Sequence, residues 1–364
     1  MIKNILKIII SILILFSIFI VYFAYFGITT SKFNTTIKNQ IKKQNDNLDI
    51  DLKKVKLHLD LKNISIKIKT KNPKIIIKDF DEIKLDEISS NISISSYFQN
   101  KFAIKNLSIK SKNNEISSYI NFYIHSNNSL KLILLNQFLK RGSAKINIDL
   151  SFDDTGKIKN NYSLTGSVSN VELQIPKYKS IRNLNFNFNA KDNYYKFEKI
   201  LFKYNEINFN SNFLEVKKKK DNFIVKGNLK NKKNKINNDI VFLILNDNFK
   251  NFDFSNTNFE STSEFSFDIN KKFKVKNLTV DTKLNLNELV LKYDLYKIKN
   301  YIVNFQNLIN LKKSKFHIKY SDKKIIIDGS SEFFIDPNFI NLVEFQIEKS
   351  KNKTSFKTFF NLKN

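Results

Sequence analysis

Cysteine is absent from this chain, which excludes a disulfide framework, a thiolate nucleophile, a cysteine-type zinc site and a lipidated N-terminal cysteine. Only 6 glycines and 3 prolines occur in 364 residues. Its turns must therefore come mostly from Asn, Asp, Lys and Ser, whose side chains hydrogen-bond locally, and this points to many simple hairpins. Arginine is nearly missing: of 62 basic residues, all but Arg141 and Arg182 are lysine. A formal charge of +28 would ordinarily suggest nucleic acid or an anionic surface. Here Lys, Asn, Ile and Phe are inflated together, as an AT-rich genome writes them. The lysines are read as a solvated face, and nucleic acid is set aside as a partner.

Residues that carry chemistry are also sparse. His58, His125 and His317 are isolated, each in a strand-like pattern, with no second histidine at metal-ligand spacing. The tripeptide Asp154-Thr155-Gly156 resembles that of aspartic proteases, but no second copy completes a carboxylate dyad. Lying between Ile146–Phe152 and Ile158–Leu164, it reads as a hairpin turn. The run Lys217–Lys220, between a strand ending at Val216 and one starting at Phe223, reads as a turn as well. The expectation is a protein that is not an enzyme, with no catalytic residue, metal or cofactor.

Long apolar character is concentrated at the start. Ile8 through Phe26 is nineteen residues without charge, interrupted only by Ser11 and Ser17. At 1.5 Å per residue it spans ~28 Å, enough to cross a bilayer. A cleaved signal peptide has a shorter apolar stretch and a small-x-small site. Phe23, Tyr25 and Phe26 occupy that exit instead, so residues 1–30 are read as an uncleaved anchor. Lys3 and Lys7 precede it while Lys32, Lys38, Lys42 and Lys43 follow, so flanking charge leaves orientation open. A short N-terminus kept in the cytoplasm is the simplest topology. Residues 31–46 follow as a juxtamembrane helix, from the helical spacing of Phe33, Ile37 and Ile41.

From residue 47 onward the period changes to two. Leu57, Leu59 and Leu61 alternate with polar residues, then Ile64, Ile66 and Ile68. Ile146, Ile148, Leu150 and Phe152 repeat the pattern, as do Val171 with Leu173, Leu184 with Phe186 and Phe188, Ile207 with Phe209, and Leu284 with Leu286. Such alternation predicts antiparallel strands with one apolar and one wet face. One helical interruption is expected, at Leu130 to Leu139, and no domain linker is visible. An apolar-x-Asn-apolar-x-apolar motif starts at Leu61, Ile104, Val168, Ile181, Val275 and Ile298, with Asn read as capping the preceding turn. A longer echo relates Val171–Phe213 to Leu289–Phe333. Repetition of a two-strand unit implies a quasi-one-dimensional sheet.

The anchor, the segment SKFNTTIKNQIKKQ, the strands DLKKVKLHLDLKNISIKIK and the block RGSAKINIDLSFDDTGKIKNNYSLTGSVSNVEL together resemble the AsmA-like family of bacterial envelope proteins, nearest its YhdP-type branch. The last block resembles the opening of that family's extended β-domain, so 147–364 is matched to it within a repetitive β-domain, 47–364. The chain is shorter than the bridging members and runs to a strand-like stretch, Phe356–Leu362, so it is read as a short or split member. The resemblance implies an all-β fold: an elongated, twisted antiparallel sheet curved into a U-shaped groove. Ile64, Ile66, Ile68, Ile148, Leu150, Val171, Leu173, Leu184, Phe186, Phe188, Ile207, Phe209, Leu284 and Leu286 are the candidate lining. It further implies binding or transfer of phospholipid acyl chains, from an inner membrane with the body in the periplasm. The alternative is an envelope assembly factor that engages an outer-membrane or periplasmic protein by strand pairing.

Overall fold

Where the sequence alternates, the computed structural model of the chain has strands. It describes residues 2–77, 81–127, 130–174, 180–204, 206–220, 222–235, 252–253, 257–271, 274–292, 308–321, 323–334, 340–350 and 353–361. The fold is mostly β, antiparallel and not closed into a barrel, with one N-terminal apolar helix and few others. Although no linker is visible in the sequence, the chain divides into two compact units. The first holds Met1–Gln174 with Asn187–Asp192, the second Ile175–Phe186 with Asn193–Asn364.

In the first unit, α1 (Ile2–Tyr25) contains a 20-residue stretch, Leu6–Tyr25, long and apolar enough to span a membrane, none of it buried. It passes through Gly27 into β1 (Ile28–Thr30). Next come α2 (Asn34–Gln44) and β2 (Leu48–Asp51). The second helix is fastened to β2 and to the residue just beyond it. Asn34 Nδ2 donates to the Leu52 carbonyl at 2.6 Å, and Lys38 and Lys42 reach Asp49 at 2.9 and 3.5 Å. Two of this helix's lysines are thus spent on an internal carboxylate.

The sheet of this unit continues through β3 (Val55–Asp60), β4 (Ser65–Lys71), β5 (Lys74–Ile77) and β6 (Glu82–Ser93). The short helix α3 (Ile94–Phe98) leads to β7 (Ile104–Ser111) and β8 (Asn114–Glu115). Then come α4 (Ile116–Asn127), α5 (Leu130–Phe138), β9 (Leu139–Ser151) and β10 (Ser163–Leu173). Pairing runs β1–β3–β4–β6–β7–β9–β10. β2 and β5 pair with each other, and β5 with the start of β6. There they bury an aliphatic core of Ile50, Val55, Ile77, Ile83 and Leu85. A bulge between Leu85 and Glu87 puts both Leu85 and Ile88 on the covered side, which unbroken alternation would not.

The expected helix at Leu130 is α5, but α3 and α4 were not foreseen, and His125 belongs to α4 rather than to a strand. Asp154-Thr155-Gly156 is a turn, as read. Asp153 Oδ1 accepts from the Thr155 and Lys157 amides at 2.8 and 3.0 Å. After it only Ile158 bridges back, to Phe152, and β10 starts at Ser163.

In the second unit, β11 (Ile181–Lys191), whose residues from Asn187 belong to the first, precedes β12 (Tyr194–Tyr204), β13 (Ile207–Lys219) and β14 (Asn222–Lys235). Then come β15 (Phe252–Asp253), β16 (Asn258–Asn270), β17 (Val275–Lys292) and β18 (Leu308–Ser321). Last are β19 (Lys324–Phe334), β20 (Asn341–Lys349) and β21 (Thr354–Asn361). From β12 each long strand pairs with the next in order, β14 with β16. Lys217, Lys218 and Lys219 are not turn residues: they pair with Ile224, Phe223 and Asn222, leaving Lys220 in the turn. The motif at Ile298 and part of the Leu289–Phe333 echo lie outside the described residues.

The repeated Asn also has a different role from the one expected. Asn170, Asn183 and Asn277 adopt φ of 55°, 52° and 51°, inside β10, β11 and β17 rather than in a turn before them. At Asn277 the register slips: Lys276 faces Asp268 while Thr279 faces Ser266, so one extra residue is absorbed on β17. Asn is among the few residues that enter the left-handed region at low cost, and a bulge bends and twists its strand.

Candidate functional site: half-covered apolar faces

Cross-strand registers assemble the alternating residues into rows. In the first unit Leu57 faces Ile68, Leu59 faces Ile66, and Ile66 faces Ile92. Ile88 faces Ile109, Ile109 faces Ile148, and Ile148 faces Leu164; Leu107 faces Leu150. These residues share one face and are half-buried. One end of that face is sealed by the β2–β5 pair, and α4, with Ile120 buried, packs on β6, β8 and β9.

The second unit carries a longer row. Phe202 stacks on Phe209 with ring centres 5.3 Å apart, and Phe186 meets Phe197 edge-on at 5.7 Å. Phe265 faces Val280, Val280 faces Tyr320, and Leu284 faces Phe316. Ile318 faces Ile327, and Ile327 faces Ile347. Leu286 and Leu289 are buried in a cluster with Phe259, Leu284, Leu311 and Phe316. The remainder of the row is half-buried, while the intervening Glu260, Glu264, Asp281, Lys283, Lys315 and Lys319 are exposed.

Two devices hold such a sheet together without a second layer. Phenylalanine rings fold over strand glycines: Phe188 over Gly166, Phe265 over Gly227, Phe345 over Gly329. A Cβ at Gly329 would lie 2.2 Å from Phe345 Cζ, so only glycine admits the ring. Buried polar side chains satisfy one another beside the bulges. Ser314 Oγ and Ser331 Oγ are 2.8 Å apart, Asn228 Oδ1 accepts from the Asn212 amide at 2.8 Å, and Ser261 donates to Asn231.

The candidate lining residues are thus distributed. Ile66, Ile68, Ile148 and Leu150 share the first unit's face, where Phe188 lies over Gly166. Phe186, Phe209, Leu284 and Leu286 contribute to aromatic pairs or the apolar cluster of the second, and Ile207 is buried. Leu184 is half-buried on β11. Ile64 is elsewhere: it sits at φ 46° in the β3–β4 turn and is exposed. Val171 is buried beside Gly142, with Ile116 of α4 also against that glycine, and Leu173 faces Leu139 at the strand end. Phe265, Ile318, Ile327, Phe345 and Ile347 complete the row and were not singled out. The alternation in KFHIKY carries that signal, whereas the run Ile325–Ile327 hides it.

The opposite face of the second unit is charged. A hollow of about 560 Å³ opens there, lined by Lys283, Lys315, His317 and Asp328 together with Phe316, Phe345 and Phe359. His317 Nε2 lies 2.8 Å from Asp281 Oδ1, and Gln346 Nε2 donates to Asp328 at 2.8 Å. Among the described residues, no three His, Asp or Glu side chains converge on a common point. No protein-family description, curated protein or solved structure matches this chain.

Proposed function

We propose that this protein is a non-enzymatic lipid-handling protein of the bacterial envelope, a relative of the AsmA-like family, that shelters phospholipid acyl chains against its apolar sheet faces. The observation that carries this reading is the pattern of exposure: strand after strand, the apolar row is only half-buried while nearly every charge is on the other face. Monomeric soluble proteins rarely leave so long an apolar surface uncovered. An acyl chain laid on it gains ~0.8 kcal/mol for each CH₂ removed from water. The helix α1 would fix the protein in the inner membrane, N-terminus in the cytoplasm and body in the periplasm, where such lipid is at hand.

The test is photocrosslinking in cells with probes at Ile66, Leu173 and Phe209. Phospholipid adducts at Ile66 and Phe209 support the proposal. Protein adducts alone at all three sites would replace it with the assembly-factor reading. One observation favours that second reading. β21 pairs with β20, no described register joins it to another strand, and its Phe356, Phe359 and Phe360 are exposed. Such an edge could accept a client strand.

A further inference from the structure

The first unit has a second apolar surface, made by its turns rather than its strands. Leu61 and Ile64 in the β3–β4 turn, Tyr97 and Phe98 in α3, and Ile158 after the β9–β10 turn are all exposed, Tyr97 by 69% and Phe98 by 78%. The antiparallel registers put them at one end of the sheet. Ser65 faces Ser93 just before α3, and Asn106 faces Ser151 just before the Asp153 turn. Hydrogen bonds join the three segments into one rim. The Ile94 amide donates to the Ile64 carbonyl at 3.2 Å, and the Phe102 amide to the Asp154 carbonyl at 3.0 Å. Turns at the opposite ends of these strands carry Asn72, Lys112 and Asn113 instead.

The rim is at the end where α1 enters. Ile28 faces Leu57, and a Cβ on Gly27 would lie 2.5 Å from the Leu57 carbonyl and 2.9 Å from the His58 ring. β3 then continues past the helix exit to Leu61. Those four residues extend ~13 Å along the strand, beside α1 and back toward its apolar length. A headgroup layer is only ~5–8 Å deep on each side of the hydrocarbon. Exposed lysines 62, 157 and 159 accompany the apolar tips, the composition that suits an anionic lipid surface.

We propose that this rim is a membrane-contact surface, seated in the headgroup layer of the leaflet from which α1 emerges. The proposal rests on α1 crossing a bilayer, not on lipid carriage by the sheet faces. Its consequence is that one end of the first unit's apolar face opens at the lipid surface rather than into water.

The full chain lacks cysteine, so single cysteines can report depth once the protein is in lipid nanodiscs. Leu61→Cys, Phe98→Cys and Ile158→Cys would each carry an environment-sensitive fluorophore, and the quencher is phospholipid with a headgroup nitroxide. Ile14→Cys, which lies near the bilayer centre and is therefore read with an acyl-chain nitroxide phospholipid, marks the span, and Asn113→Cys marks the far end of the strands. At least two rim sites should be quenched several-fold more than Asn113→Cys. Equal, low quenching at rim and Asn113 with strong quenching at Ile14 overturns the rim proposal alone. Low quenching at Ile14 overturns the membrane span, and the rim proposal with it. All labelled rim positions are exposed, and the double variant Y97S/F98S, with the label at Leu61, should lower quenching there. Unchanged quenching at Leu61 would count against α3 as part of the contact.

Discussion

The two units solve the same problem differently. Each has a sheet with one apolar face, but the first seals part of it under β2, β5 and α4, burying Val55 and Ile77 to 1% exposure. Among the described residues the second builds no such layer. It relies on rings over glycines and on paired Ser and Asn side chains at its bulges. One unit therefore draws stability from depth, the other from contacts between neighbouring strands. An apolar substitution should accordingly cost more in the first, and a charge should be tolerated better on the open face of the second.

The sharpest way to break this comparison is Ile77→Ala. Truncating a fully buried aliphatic side chain typically costs ~2–5 kcal/mol, and chemical denaturation of the detergent-purified protein should show the first unit melting earlier by that amount. If the loss is under ~1 kcal/mol, that core is not what holds the first unit together.

Gly329→Val is next. The branched side chain must displace the Phe345 ring, and overpacking of this kind costs ~1–3 kcal/mol. Pairing it with Phe345→Ala should recover part of the loss, because the ring is then no longer in the way. Two losses that simply add would mean that ring and glycine do not depend on each other.

Phe186→Asp separates open face from closed core. Phe186 is half-buried and touches Phe197 edge-on, so on an open face its carboxylate reaches water and stability should drop by only about 1–2 kcal/mol, the ring's partial burial and its edge-on pair. The variant should accumulate, stay protease-resistant and lose lipid capture, while Asn187→Asp, one position along on the exposed side, behaves as the parent. Degradation of Phe186→Asp alone would mean that this stretch is covered, as the first unit's end is.

The smallest effect concerns pH. A hydrogen bond from Lys203, aided by that lysine's charge and by Arg182, holds the Glu206 carboxyl below its ordinary value. A depressed carboxylate contributes stability above its unfolded pKa of ~4.3 and loses it as pH falls through the lower folded value. The turn between β12 and β13, where Glu206 sits at φ 67°, should therefore show faster amide exchange, after correction for intrinsic rates, only below about pH 4. Glu206→Gln should abolish that pH step. Glu206 and Arg182 are exposed and Lys203 is half-exposed, so salt should weaken the effect.

Much of this architecture is written in local pattern. A charge-free run longer than a bilayer is thick forms an apolar helix wherever it is placed, and alternation assigns faces because a strand's side chains point to opposite sides. Thus α1, α5 and the faces of Ile66, Ile148 and Leu284 are legible without any partner. What neighbours decide is different in kind. The segment Ile116–Asn127 is rich in β-branched and aromatic residues, which favour strand, yet it is the helix α4: Ile116, Tyr119, Ile120, Tyr123 and Ile124 recur at helical spacing, and Ile120 is buried where the segment packs over β9. Lys217 to Lys219 look like a turn and become strand because β14 pairs with them to its first residue. The repeated Asn looks like a cap, and two copies, Asn170 and Asn277, sit at bulges. A bulge exists only relative to the strand opposite, so its register slip has no signature in one segment alone. Ile64 likewise continues the alternation on paper but falls in a turn, because β3 ends at Asp60, whose Oδ1 accepts the Lys62 amide at 3.1 Å. Periodicity is a property of one strand and can be read from the chain, whereas register and coverage belong to pairs of strands and to what lies above them, and only the tertiary structure supplies those.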